Sequence, residues 1–159
     1  MYANRGMYVE EIINRTISYL QNQNCIIEKR NIPIKIIKKV NGNKVLGILL
    51  DKSTVDYCGF VNNQHIEFEA KQTNQANFNV KLLQPHQYEF LLKAKSIGAV
   101  AFVIVHFTMY DEFYLLPIEW INQCLLTRHK QTIAYDSIKQ QCHLFSIIYP
   151  GILNLIEKI

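Results

Sequence analysis

The stretch Glu67-Phe68-Glu69-Ala70-Lys71 places two acids and a lysine at every second position, and Ser53-Thr54-Val55-Asp56-Tyr57 puts a further acid one strand upstream. In a β-strand successive side chains alternate faces, so Glu67, Glu69 and Lys71 share one surface while Phe68 and Ala70 point toward a core. If the preceding strand pairs antiparallel through a turn at Asn62-Asn63-Gln64, Asp56 approaches Glu69. Two clustered carboxylates suit a hard, oxygen-seeking divalent ion. The matching chemistry is hydrolysis of a phosphodiester, whose negative charge repels a nucleophile and whose alkoxide leaves poorly; a divalent ion relieves both difficulties. Asp56 and Glu69 are the candidate ligands. Lys71 is a point charge on a flexible stem, suited either to orient the attacking water or to stabilise the crowded phosphorus. The same residues would also make an ordinary charge-paired ladder on a solvated strand, and Glu67 in particular could simply pair with a lysine.

The elements that must hold these residues follow from periodicity. Val9, Ile12, Ile13, Ile17 and Leu20 keep the three-four spacing of a buried helical stripe, with Asn4 as its cap. Cys25 to Lys29 reads as a strand ending before Pro33. The alternating run from Ile34 to Val40, a turn at Asn41-Gly42 and a return over Lys44 to Leu50 predict a hairpin. Thr54 to Phe60 and His65 to Lys71 predict the next one. Pro85 at an N-terminal turn, Tyr88, Leu91 and Leu92, and Gly98 as a stop define a second helix. Its first turn carries Gln87, where free N–H groups and a positive dipole end favour an anion or an ordered water. His86 beside it is expected to make a helix-start hydrogen bond. The apolar run Ala99 to Phe107 fits a strand covered on both faces, with Phe113 to Leu116 as a shorter neighbour. A helix over Pro117 to Leu125 and an irregular basic and aromatic tail complete the chain.

The 159 residues, 49% of them hydrophobic, suffice for one domain with a sizeable core. No apolar run approaches the ~20 residues that span a bilayer, and the first residues lack a signal-peptide core, so a cytoplasmic protein is expected. Cys25, Cys58, Cys124 and Cys142 are scattered without zinc-site spacing and read as reduced thiols. A net charge of +4 is compatible with a polyanionic partner without requiring one.

Asn4-Arg5-Gly6, Glu10-Glu11, Thr54-x-Asp56, Phe68-Glu69-Ala70-Lys71 and His86-Gln87 occur in that order. In this the chain resembles the RecU family of Holliday junction resolvases, within the PD-(D/E)XK nuclease superfamily, from Asn4 to about Tyr149. The resemblance implies an α/β fold: a restriction-endonuclease-like core with a central mixed β-sheet flanked by helices and a protruding β-hairpin stalk. One nuclease domain would span residues 1–159, with the stalk at about 34–50. It implies a Mg2+-dependent endonuclease, Mn2+ being an alternative ion, that nicks opposed strands of four-way DNA junctions as a homodimer. Recombinase and branch-migration proteins would be its neighbours. By the same resemblance Thr54 and the Ala70 carbonyl join Asp56 and Glu69 at the metal, Gln87 accompanies that site, and Glu10 or its neighbour Glu11 supplies an acid at its edge. Arg5 could contact a phosphate or be merely solvated. Phe78 matches an aromatic residue of the family and could wedge against bases at a branch point or pack in the core.

The hairpin at 34–50 carries Lys35, Lys38, Lys39 and Lys44 among apolar residues and few acids, as a DNA-contacting stalk would. The run Arg128-His129-Lys130 reads as a solvated charge cluster that could also touch the DNA backbone. A non-catalytic junction-binding regulator, or a nuclease of the same superfamily for another DNA structure, would share much of this pattern. The intact Asp56, Glu69 and Lys71 favour the enzyme.

Overall fold

A computed structural model describes residues 7–21, 23–50, 54–128 and 130–159; Arg5 and the Asn4 cap lie outside them. Helix α1 (Met7–Leu20) turns Val9, Ile12, Ile13 and Leu20 inward, as the three-four spacing requires. Strand β1 (Cys25–Lys29) follows, then a hairpin of β2 (Ile34–Asn41) and β3 (Lys44–Leu49). Strands β4 (Tyr57–Val61) and β5 (Gln64–Thr73) form the second hairpin. Its turn is Asn62-Asn63, with both residues at positive φ (49° and 65°), the backbone twist that a two-residue hairpin connection needs. That turn sets the register Tyr57 opposite Phe68, and so Asp56 opposite Glu69. A slip by one residue would send Asp56 to the other face.

After a short strand β6 (Phe78–Asn79), helix α2 (Pro85–Ser96) crosses over to β7 (Val100–Phe107), which runs parallel to β5. Gly98, at φ +103°, makes the reversal between them. Strand β8 (Glu112–Pro117) returns antiparallel and leads into α3 (Ile118–Arg128). The region expected to be an irregular tail is ordered: β9 (Thr132–Ile133) pairs with β6, α4 (Tyr135–Gln141) follows, and β10 (His143–Phe145) joins β8. Strands β11 (Ile147–Ile148) and β12 (Ile152–Leu153) make a last small hairpin. These segments are too short for periodicity to reveal them.

The central sheet has the order β1-β4-β5-β7-β8-β10 and is mixed, β5–β7 being its parallel pair. On one face α1 covers a core in which Tyr57, Phe68 and Phe102 stack at centroid separations of 4.8 and 4.9 Å. On the other, Leu91 and Ala94 of α2 and Ile118 and Ile121 of α3 pack on Val103, Val105 and Leu116. Burying one such side chain contributes about 1.5–3 kcal/mol. Strand β7 is therefore buried on both sides, as its unbroken apolar run predicts.

The β2–β3 hairpin belongs to neither core. It is a separate two-stranded sheet whose every residue is exposed, from Ile34 to Leu49. Its turn falls on Gly42-Asn43, one residue later than expected, because Asn41 still pairs with Lys44 and only Gly42 takes a positive φ (+52°). Register irregularities between Ile36 and Lys38 and between Lys39 and Asn41 break the alternation, so Lys35, Lys38 and Lys39 face Ile48, Leu46 and Val45 across the ribbon. All four cysteines are free thiols. Among the described residues no helix is long and apolar enough to cross a membrane.

Candidate active site

Three strands contribute one row. Arg30, immediately after β1, donates its backbone N–H to the Asp56 carbonyl at 2.7 Å. Asp56 in turn donates its own N–H to Glu69 Oε2 at 3.0 Å. Lys71, two residues along the same face of β5, brings Nζ to 2.5 Å from Glu69 Oε1. Both oxygens of this buried carboxylate are thus held, one by the backbone of the candidate ligand opposite and one by the lysine. Burial pushes the Glu69 pKa up, to about 7; Lys71 pulls it down and the charge of Asp56 pushes it up again. Glu69 therefore lacks the positive charge that would hold it fully ionised at neutral pH.

Its neighbour Glu67 is better provided for. Arg30 Nη2 donates to Glu67 Oε1 at 2.7 Å, Nη1 lies 2.7 Å from Oε2 without hydrogen-bond angles, and His65 Nε2 stands 2.9 Å from Oε1. Burial alone would lower the Arg30 pKa, and Glu67 outweighs it, so the guanidinium stays charged. Arg30 Nη1 also donates to Thr54 Oγ1 at 3.0 Å. One side chain thus ties the Thr54–Asp56 segment to β5. Sequence reading did not single out Arg30; the signal was the continuation of β1 by one residue, which carries it into the row of Asp56 and Glu69. Glu67 accordingly belongs to this structural pair, as its lysine-pairing alternative anticipated in kind if not in partner.

From the other face, Tyr57 donates to Asn14 Oδ1 of α1 at 3.1 Å, and Glu10 meets Lys29 at 2.5 Å. Burial raises the Tyr57 pKa, helped by the charges of Glu10, Asp56 and Glu69. Glu10 therefore acts on Tyr57, which the charges of Asp56 and Glu69 also reach, and is itself paired with Lys29. Glu11 points elsewhere, paired with Arg15 at 2.8 Å and largely exposed.

Two expected residues are occupied differently. Gln87 is buried, and its Oε1 accepts the backbone N–H of Gln84 at 3.0 Å, closing the first turn of α2. Phe78 is fully buried within the α2–α3 core and paired through its backbone with Ile133, so of its two expected roles the structure gives it packing and corrects the DNA wedge. Lys35, Lys38 and Lys39 stand on the projecting hairpin, away from the carboxylates.

The donor set fits a hard divalent cation in its chemistry: the charge of Asp56 acts on the buried Glu69 carboxylate, which is short of positive charge, and Arg30 holds the Thr54 hydroxyl two residues before Asp56. Among the described residues no group of three or more His, Cys, Asp or Glu side chains converges.

A family model described as Recombination protein U matches residues 4–159. The Holliday junction resolvase RecU of Ureaplasma parvum is 32% identical over 157 residues, an alignment covering 98% of this chain and 92% of that one. The protein of the same name from Bacillus cereus is 32% identical over 160 residues, covering 93% and 79%. Among solved structures, the Archaeoglobus fulgidus Holliday junction resolvase Hjc superposes with a TM-score of 0.53 at 14% identity, over 96% of this chain and 98% of that one, and so shares its fold. From the match across nearly its whole length, this chain belongs to the Recombination protein U family.

Proposed function

We propose that this chain is a structure-specific DNA endonuclease that resolves four-way junctions by paired nicks, acting as a homodimer with a divalent cation, Mg2+ by preference. The observation that carries the reading is the row formed by the residue before β4 and by β5: the Asp56 backbone N–H on Glu69 Oε2 at 3.0 Å, with Lys71 Nζ at 2.5 Å from the other oxygen of that carboxylate. The names of its relatives support the choice of substrate. Asp56 and Glu69 would hold the cation, with Thr54 and the Ala70 carbonyl as further oxygens; when bound it would supply Lewis acidity toward water and the scissile phosphate.

Lys71, at 2.5 Å from Glu69 Oε1, would set its charge against the attacked phosphate. Arg30 keeps Thr54 and the Asp56 backbone in place, and Glu10 adds negative charge at the edge from α1. Gln87 would join only by giving up its cap on Gln84. In a dimer, two projecting hairpins would enter the open centre of a junction, with lysines meeting converging phosphates and apolar positions packing between the copies. Strand-specifically labelled four-way, forked and linear duplex DNA, incubated with and without Mg2+, tests the reading. Symmetric nicks in the four-way substrate only when Mg2+ is present are the expected result; tight junction binding without any cutting would replace the enzyme with a binding module.

A further inference from the structure

A cavity of about 510 Å3 opens between the start of α2 and the end of α3, apart from the carboxylate row. Its walls are Val80, Leu83, Pro85, Tyr88 and Leu125. Tyr88 donates its hydroxyl to Asn122 Oδ1 at 2.7 Å, which engages the polar end of that side chain and leaves the ring as wall. At the rim the β6–β9 ribbon continues through the Val80 N–H to Gln131 carbonyl bond, at 2.8 Å, and brings Lys81 and Lys130 to the same opening. Both lysines are exposed, and among the described residues neither takes part in an ion pair. Two cations at one opening, with no acid lining it, attract an anion.

We infer that this cavity is a nucleotide-binding slot, taking one unstacked base of the DNA against Tyr88 and Pro85 while Lys81 and Lys130 hold its phosphate. An apolar slot with cations at its rim is complementary to the π-face of a base joined to its negatively charged phosphate, and stacking of a base on such walls is sequence-tolerant. Its volume lies within the ~300–1,000 Å3 range of small-ligand pockets. Pro85 and Tyr88 share the first turns of α2 with Gln87. The inference rests on the proposal that the chain acts on branched DNA, where bases near the crossing can leave the stack. It offers the DNA a base contact that the buried Phe78 cannot make.

The test uses the full chain in EDTA with four-way junctions carrying 2-aminopurine at successive positions within about five nucleotides of the cut, roughly 17 Å of strand at ~3.4 Å per nucleotide. In the wild type one position should change fluorescence on binding. The double variant Lys81→Glu/Lys130→Glu, at exposed positions, should bind the junction about tenfold more weakly at ~0.1 M salt, with a salt dependence shallower by roughly two counterions. Leu125→Phe, which fills the slot, should abolish the fluorescence change; if that variant does not fold, the charge-reversed one carries the test alone. Wild-type affinity and salt dependence in the double variant, or no responsive position in the wild type, overturn the slot while leaving junction cleavage intact. A wild type that neither binds nor cuts branched DNA overturns both.

Discussion

Glu69 makes a prediction that needs no DNA. Its pKa moves from 4.5 in the unfolded chain to about 7 in the fold, because burial disfavours the charged form more than Lys71 restores it. The folded protein therefore binds more protons than the unfolded one across that interval, and stability must fall as pH rises through it. At ~1.36 kcal/mol per pH unit the loss is about 3 kcal/mol, fully developed above pH 7 and absent below about 4.5. The side chain is only 1% exposed, so solvent screening does not reduce the effect appreciably. For a domain of this size that is about 6–12 °C in Tm, at ~2–4 °C per kcal/mol.

Thermal unfolding in EDTA, read from pH 5 to 8 for the wild type and Glu69→Gln, isolates the contribution as the difference between the two curves. The glutamine variant should lose its share of the slope and be the more stable protein at pH 8. Adding Mg2+ should restore the wild type at pH 8, since a cation binds the ionised pair, and should do little for Glu69→Gln. Parallel curves for the two proteins in EDTA would refute the reasoning, because Glu69 would then not be the uncompensated charge described.

Asp56→Asn should abolish cleavage while junction binding survives or tightens, as removing a carboxylate also removes repulsion toward phosphate; paired gel-shift and cleavage assays decide. Lys71→Ala should lower the single-turnover rate by about two orders of magnitude with little change in affinity, and a collapse of affinity at wild-type rate would make it a phosphate anchor instead. Arg30→Met should destabilise the fold by about 3 kcal/mol in chemical denaturation, since Glu67 would be left buried without its cation, and Arg30→Lys should recover part of the loss. Replacing Lys35, Lys38 and Lys39 together by alanine should weaken four-way junction binding more than duplex binding and flatten its salt dependence by about three counterions; equal losses on both substrates would leave the hairpin as a general electrostatic contact.

The parts of the molecule that were readable from residue order are those governed by strong local periodicity. Glu67, Glu69 and Lys71 had to share a face once their segment was a strand, and the Asn62-Asn63 turn sufficed to bring Asp56 to Glu69. The double burial of Ala99 to Phe107 was equally visible. What escaped depends on tertiary neighbours. Gln87 sits at an anion-friendly helix start, yet its side chain serves the helix itself. Phe78, between two asparagines, looks like a loop residue; only the return of Ile133 beside it makes it core. Arg30 lies three residues before a proline, and its value comes from a strand and a buried glutamate far away in the chain. The short strands near the C-terminus carry two or three residues each, below the length at which alternation can be recognised.

The hairpin from Ile34 to Leu49 has one more consequence, in exchange and entropy. A ribbon of two strands with no third strand and no core beneath it is marginally stable in water, and here every residue of both strands is exposed. Its amides should exchange with deuterium far faster than those of β5 and β7, opening without disturbing the sheet. Whatever the hairpin docks against must then supply its ordering, at about 1–2 kcal/mol per fixed residue. A surface that engages only its tip cannot meet that demand, whereas a partner that clasps its whole length can. Shape selection would then reside in how much of the ribbon a substrate manages to hold still.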